Sequence, residues 1–295
     1  MLVVKAIAAL SVLGLVTSAV LSTAARKFHV EVDPRVESVA ETLPGSNCGA
    51  CGNPSCFAVA EGIVAGTLPV NACVAGGQAC ADQIALLMGA EACAVASVVS
   101  VRACGGGTNA QRAYDYGGVQ SCAAVARLAG GPLMCSAGCL GLGDCMSACP
   151  FDAITMDDRG LPVIDLDACT GCGVCVRGCP RGGIGLLSML TQDAPIIVRC
   201  NAHDKVKARK AGCSACCIAC KKCERACPSD AIHVVDMLAV VDYDKCTGCG
   251  TCVSVCPQDC IDVHGRSSMI PAAMTDGKGK NAPGFQIADT TLATE

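Results

Sequence analysis

The chain has 295 residues, 28 of them cysteine, with aromatics at 2%, no Trp and a formal net charge of -4 at pH 7. That weak acidity excludes the basic footprint of a nucleic-acid binder, and so few large side chains exclude a core held together by burial alone. Cysteine cross-links, as disulfides or as metal clusters, are the expected compensation, in a length that allows two or three small modules.

In chain order, positions 6–25, "AIAALSVLGLVTSAVLSTAA", carry no charge and have the length of a bilayer-spanning helix. Lys5 precedes the stretch and Arg26 and Lys27 follow it, so the positive-inside rule puts the carboxyl side in the cytoplasm. A cleaved signal peptide is the alternative, with "STAA" as its small-residue site. Cleavage would leave the cysteines in an oxidising compartment, so an uncleaved anchor over 1–26 fits better, followed by a linker over 27–42.

Residues 43–78 form a first module. Within it "NCGACGNPSC" supplies Cys48, Cys51 and Cys56, and Cys73 follows. Four cysteines with glycines between them suit a [4Fe–4S] cube, because glycine lets backbone amides approach the sulfurs. On spacing alone, zinc remains open here. Residues 79–134 read as a small α/β scaffold, with "ASVVSV" (96–101) as a buried strand and "VQSCAAVARLAG" (119–130) as a short helix.

From Cys139 onward the chain carries the bacterial ferredoxin run C-x2-C-x2-C-x3-C-P four times. Three runs are complete: Cys169, Cys172, Cys175 and Cys179; Cys217, Cys220, Cys223 and Cys227; Cys246, Cys249, Cys252 and Cys256, each ending in Pro. Three cysteines on one tight loop cap three irons of a cube, and the fourth, before Pro, ligates the neighbouring cube. A zinc ribbon needs only paired C-x2-C knuckles and gives no reason for the third cysteine or for the proline.

An isoleucine follows each run at a fixed offset (Ile154, Ile184, Ile232, Ile261). "DAITM" with "LPVID" matches "AIHVV" with "LAVVD", each couple reading as a two-stranded hairpin. The chain is therefore internally duplicated, with units at 135–190 and 213–265 joined by a connector at 191–212. In the second unit Cys217, Cys220, Cys223 and Cys256 pair as one ligand set, and Cys246, Cys249, Cys252 and Cys227 as the other. In the first unit Cys169, Cys172, Cys175 and Cys149 are complete.

The remaining run holds Cys139 and Cys145 and receives Cys179, but Leu142 stands where its second cysteine belongs. Either the copy is dead or its ligand comes from elsewhere. Because only one cysteine is lost, a live cube is expected, with Cys135, four residues upstream, as its fourth ligand.

Of the cysteines left over, Cys104, Cys122, Cys200 and Cys213 would form a sixth cluster or lie as buried thiols, while Cys216 and Cys260 align with Gly138 and with Ala153 and Ala231 and read as small buried hydrophobes. "HDKVKARK" (203–210) is a solvated helix face or a docking patch for an acidic partner. The tail, 266–295, reads as disordered. No nucleophile–base pair and no phosphate-binding loop emerges. The expected fold class is α+β: a single N-terminal transmembrane helix, a small 4Fe-4S module, then two duplicated ferredoxin-like two-cluster units on a small α/β scaffold. At least five [4Fe–4S] clusters are expected, with cysteines enough for a sixth.

The stretches "LPGSNCGACGNPSC", "YDYGGVQSC", "GCLGLGDCMSACPFDAI" and "CTGCGVCVRGCP", behind an N-terminal anchor, resemble the B subunit of the Rnf complex in its long form, over roughly residues 1–265. Cys80, Cys93, Cys216 and Cys260 depart from that pattern. The resemblance implies an electron-relay subunit of an ion-translocating ferredoxin:NAD+ oxidoreductase. It would take electrons from reduced ferredoxin and pass them to other subunits of the membrane complex, which carry the flavins, the NAD site and the ion path. It would sit single-pass in the inner (cytoplasmic) membrane with its clusters on the cytoplasmic side. A free-standing membrane polyferredoxin carrier and a subunit of a redox-sensor-reducing complex are the alternatives.

Overall fold

The computed structural model describes residues 2–27, 33–91 and 93–264, with side chains in the first helix described at positions 5, 7 and 10–27. The expected disordered tail, 266–295, lies outside these residues. Helix α1, Leu2–Lys27, is continuous over 26 residues and exposes Ile7, Leu10, Leu13, Leu15 and Leu21. Among the described residues, no helix is long and apolar enough to cross a membrane.

Helices α2 (Pro34–Thr42), α3 (Cys56–Val64) and α4 (Gly77–Met88) make one small core. α2 starts sharply because Pro34 occupies its first turn and the Asp33 carboxylate accepts from the Arg35 amide at 2.9 Å. α3 is capped by the Ser55 hydroxyl, which accepts from the Ala58 amide at 3.1 Å. Val36 and Val39 of α2 are buried with Val59, Ile63 and Ile84. Part of the expected linker thus folds onto the module: its spacing of Val36, Val39 and Leu43 is that of a helix face.

Strand β1 (Val98–Arg102) opens the rest of the chain. It is followed by the single-turn α5 (Cys122–Ala126), then α6 (Asp144–Ser147), β2 (Ile154–Met156), β3 (Pro162–Ile164), α7 (Val174–Gly178) and β4 (Leu187–Thr191). Next come β5 (Ile196–Val198), α8 (Val206–Gly212), α9 (Lys222–Ala226), β6 (Ile232–Val235), β7 (Leu238–Val241), α10 (Thr251–Ser254) and β8 (Ile261–Val263). Among the described residues the four sheets are all antiparallel pairs: the hairpins β2–β3 and β6–β7, and the long-range pairs β1–β4 and β5–β8. This is an α+β chain of short elements. Isolated two-stranded sheets this short are marginal by themselves, so the loops between them must carry much of the organisation.

Those loops share one backbone. At the second and fourth positions after the first cysteine, φ is positive in every run: Gly141 (77°) and Gly143 (78°), Gly171 (70°) and Gly173 (69°), Ala219 (52°) and Lys221 (58°), Gly248 (71°) and Gly250 (71°). The conformation persists even where Ala and Lys must bear its strain, so it belongs to the loop and not to glycine. The run carrying Leu142 keeps it too. After the CP pair, Asp152, Asp230 and Asp259 are also left-handed, at 50°, 50° and 45°. The run ending at Pro180 departs, entering a 3-10 turn over Gly182–Ile184.

Candidate metal centres

Each run loop delivers its third cysteine on the first residues of a short helix. Cys145, Cys175, Cys223 and Cys252 lie on α6, α7, α9 and α10, and all four are buried. The fourth cysteine then crosses to the partner run. Cys217, Cys220, Cys223 and Cys256 line a cavity of about 320 Å³. Cys246, Cys249, Cys252 and Cys227 line another of about 320 Å³. In the N-terminal module Cys48, Cys51, Cys56 and Cys73 line one of about 330 Å³, closed by Val59 and Leu43. Cys169 and Cys175 lie against β1, where the Ser100 amide donates to Cys169 Sγ at 3.5 Å and the Cys175 thiol donates to Ser100 Oγ at 3.3 Å, and Cys172 and Cys149 are their electrostatic neighbours.

The incomplete run has a different fourth cysteine from the one expected. Its cavity, about 370 Å³, is lined by Cys139, Cys145, Cys179 and Cys122. Cys135 does not line it. Cys122 opens α5, and Asp144 pins that turn in place: its Oδ1 accepts from the Cys122 amide, and its Oδ2 from the Ala123 amide and the Ser121 hydroxyl, each at 2.9 Å. Partial burial pushes the Asp144 carboxyl up, and these bonds outweigh that and hold it below the usual range. Cys135 lies away from that cavity for a physical reason. Proximity in sequence favoured Cys135, but its loop turns toward Cys104, Cys200 and Cys213.

That second convergence lies in the middle of the chain. The Gly106 and Cys139 amides both donate to Cys104 Sγ, each at 3.4 Å. The Gly105 amide bonds the Arg199 carbonyl at 2.9 Å, tying the Cys104 segment to the Cys200 segment. A bridge joins Ala110 to Cys213, and Gly212 lies against Cys135. Cys104, Cys200 and Cys213 are buried, and Cys135 is half-buried.

Two further thiols have other settings. Cys260 lines the cavity of Cys217 and Cys256, 3.7 Å from Cys256 Sγ, and stays protonated while its hydrogen bonds pull the Cys256 thiol down to about 6 and the Cys217 thiol below its ordinary value. Cys80 donates to the Thr42 carbonyl at 3.4 Å and is pushed up to about 11 by burial. Within α8, Arg209 is buried and donates to the carbonyls of Asp204 and Met237, leaving Lys205, Lys207 and Lys210 on the surface.

These sets fit an iron–sulfur cube. Burial pushes the thiols of Cys139 and Cys252 up to about 12 and those of Cys145, Cys213 and Cys223 up to about 11, so each needs a strong cationic partner to become a thiolate. Among the described residues no group of His, Cys, Asp or Glu converges on a single metal ion.

Sequence spacing pointed to the runs because their ligands are local. Cys122, Cys104, Cys200 and Cys213 come from separate segments, and their only signal was a surplus of cysteines beyond those the runs use.

Comparison with known proteins agrees. An Fe-S cluster family matches residues 43–75, a 4Fe-4S dicluster domain matches 134–183, and 4Fe-4S binding domains match 217–231 and 239–262. The B subunit of the Na(+)-translocating ferredoxin:NAD(+) oxidoreductase complex of Acetobacterium woodii is 41% identical over 80% of this chain and 71% of its own length. The B subunit of the ion-translocating oxidoreductase complex of Methanosarcina acetivorans is 41% identical over 83% of this chain and 92% of its own. The B subunit of the proton-translocating ferredoxin:NAD(+) oxidoreductase complex of Clostridium ljungdahlii is 42% identical over 83% and 86%. Similarity of this depth across most of both partners, on a scaffold built around cysteine sets, means that the chain belongs to the B-subunit family of the Rnf ion-translocating oxidoreductase complexes.

Proposed function

We propose that this chain is the electron-relay subunit of a membrane-bound, ion-translocating ferredoxin:NAD+ oxidoreductase, and that six cysteine sets along it each hold a [4Fe–4S] cube. A cube at each set supplies a station that accepts and returns one electron. The observation that carries the reading is that the sets abut in a single succession.

The module set touches the set of Cys149, Cys169, Cys172 and Cys175 through Arg177, which donates to the carbonyls of both Cys48 and Cys172 at 3.3 Å. Cys175 shares a buried cluster with Cys145. Cys139 bonds Cys104 Sγ through its amide. Cys200 and Cys213 are buried in one core with Cys217, Cys223 and Cys252. Among the described residues each set is in contact with another, and the central set shares its core with both sets of the second unit.

The ends differ. Cys249, on the last set, is exposed, which suits contact with a soluble donor such as reduced ferredoxin. The module set is the one nearest α1 in the sequence, with α2 between them, which suits delivery to the other subunits in the membrane. In this reading the uncharged stretch 6–25 within α1 is the single-pass anchor. Arg26 and Lys27 at its end favour cytoplasmic clusters in the inner membrane.

Iron and acid-labile sulfide quantification on anaerobically purified full-length protein tests this. About 24 irons per chain are expected from six cubes. About 20 would remove the central cube, and folded protein without labile sulfide would end the whole reading. Separation with detergent-solubilised membranes, and reoxidation by the partner subunits after reduction with ferredoxin, test the anchor and the relay.

A further inference from the structure

Arg181 follows the CP pair of the second run, where the other runs have Phe151, Ser229 and Gln258. It is 5% exposed. Because the chain there enters a 3-10 turn, the Arg181 side chain is directed into the protein. Its Nη1 donates to the carbonyls of Cys135, at 3.3 Å, and of Gly138, and its Nη2 donates to that of Gly130 at 2.6 Å. The same side chain lines the cavity of Cys122, Cys139, Cys145 and Cys179. Among the described residues, no carboxylate pairs with it.

Three carbonyls satisfy its N–H groups but leave its net charge unbalanced. A guanidinium cannot shed its proton to escape that position, and an uncompensated buried charge is costly. The ionisable groups that act on it are cysteine thiols, those of Cys135, Cys139, Cys104 and Cys179. Those sulfurs belong to two different sets.

Resting on the reading that both sets hold cubes, we propose that Arg181 is the shared counter-charge of the cube at Cys122, Cys139, Cys145 and Cys179 and of the cube at Cys104, Cys135, Cys200 and Cys213, raising the reduction potentials of the two together. Each electron added to a cube makes it more negative, so a cation fixed between them favours the reduced form of both. The middle of the succession thereby holds an electron more readily than it would without this residue.

The test is an EPR-monitored redox titration of anaerobic full-length protein with Arg181→Gln, which keeps donors but removes the charge, and Arg181→Lys, which keeps the charge. In the Gln variant two cluster signals are expected to fall by at least a tenfold change in reduced-to-oxidised ratio at fixed poise, 59 mV for a one-electron couple, with the others unmoved. The Lys variant recovers most of the shift. Signals that stay in place, or that all move alike, overturn the inference while iron remains near 24 per chain. Wild-type iron near 20 instead overturns the reading beneath it. Should the Gln variant lose iron, a loss of about eight per chain supports the shared role and a loss of about four overturns it.

Discussion

The sharpest test of the site geometry is the source of the ligand missing at Leu142. Cys122→Ala removes one of four cysteines from the cavity of about 370 Å³ and leaves Cys139, Cys145 and Cys179 in place. Lost packing of one buried thiol costs on the order of 1 kcal/mol, too little to unfold the chain, so the effect is local: iron drops by between about one and about four per chain, with one EPR signal lost or altered. Cys135→Ala spares that signal and removes another. The two variants are told apart by rescue. The loop over 139–145 has φ of 77° and 78° at Gly141 and Gly143, against 70° and 69° at Gly171 and Gly173 in a complete run. A thiol at position 142 therefore leaves the loop as Cys172 does, and the double variant Cys122→Ala/Leu142→Cys regains the iron and the signal. Leu142→Cys does not rescue Cys135→Ala. Loss of this cube on Cys135→Ala, with Cys122→Ala retaining full iron, would refute the assignment.

Other outcomes follow from single contacts. Asp144→Ala deprives the Cys122 turn of three hydrogen bonds to a carboxylate and costs about 2–4 kcal/mol, read as faster iron loss to a chelator from one cluster. Ala219→Gly relieves a left-handed alanine and stabilises by about 1 kcal/mol, a rise of about 2–4 °C in the thermal midpoint. Gly171→Ala forces a Cβ onto the Val98 carbonyl at φ 70° and is expected to cost about 2–5 kcal/mol, with loss of the cube beside β1 in metal analysis. Cys260→Ala leaves iron unchanged, because Ala153 and Ala231 occupy the corresponding place in other runs; a loss of about four irons would make Cys260 a ligand.

Much of this arrangement was legible in the sequence wherever it is local. The hairpins β2–β3 and β6–β7 lie where "DAITM…LPVID" and "AIHVV…LAVVD" put them, and the buried strand expected at 96–101 appears as β1. The helix over 119–130 is only one turn, Cys122–Ala126, because its start is fixed by Asp144 and not by its own hydrophobic pattern. Pairing partners were not legible: β1 with β4 and β5 with β8 join segments tens of residues apart, and nothing in a short strand names its partner. For the same reason the basic stretch at 203–210 hid the fact that Arg209 faces inward while its neighbours face water. Cys122 fell in the same blind spot, since its place depends on a carboxylate twenty-two positions away.

The central convergence of Cys104, Cys135, Cys200 and Cys213 has a consequence for biogenesis. Its four sulfurs come from four separate segments, so nothing can be loaded there until translation has passed Cys213 and the intervening unit has folded. The module near the amino terminus, with Cys48 through Cys73, is complete far earlier. Strand β8 closes against β5 only once Ile261–Val263 has left the ribosome. Synthesis thus completes the amino-terminal set first, the central set only with Cys213, and the sets of the second unit last, so a nascent chain halted before residue 213 has its first cysteine set whole and its central set incomplete.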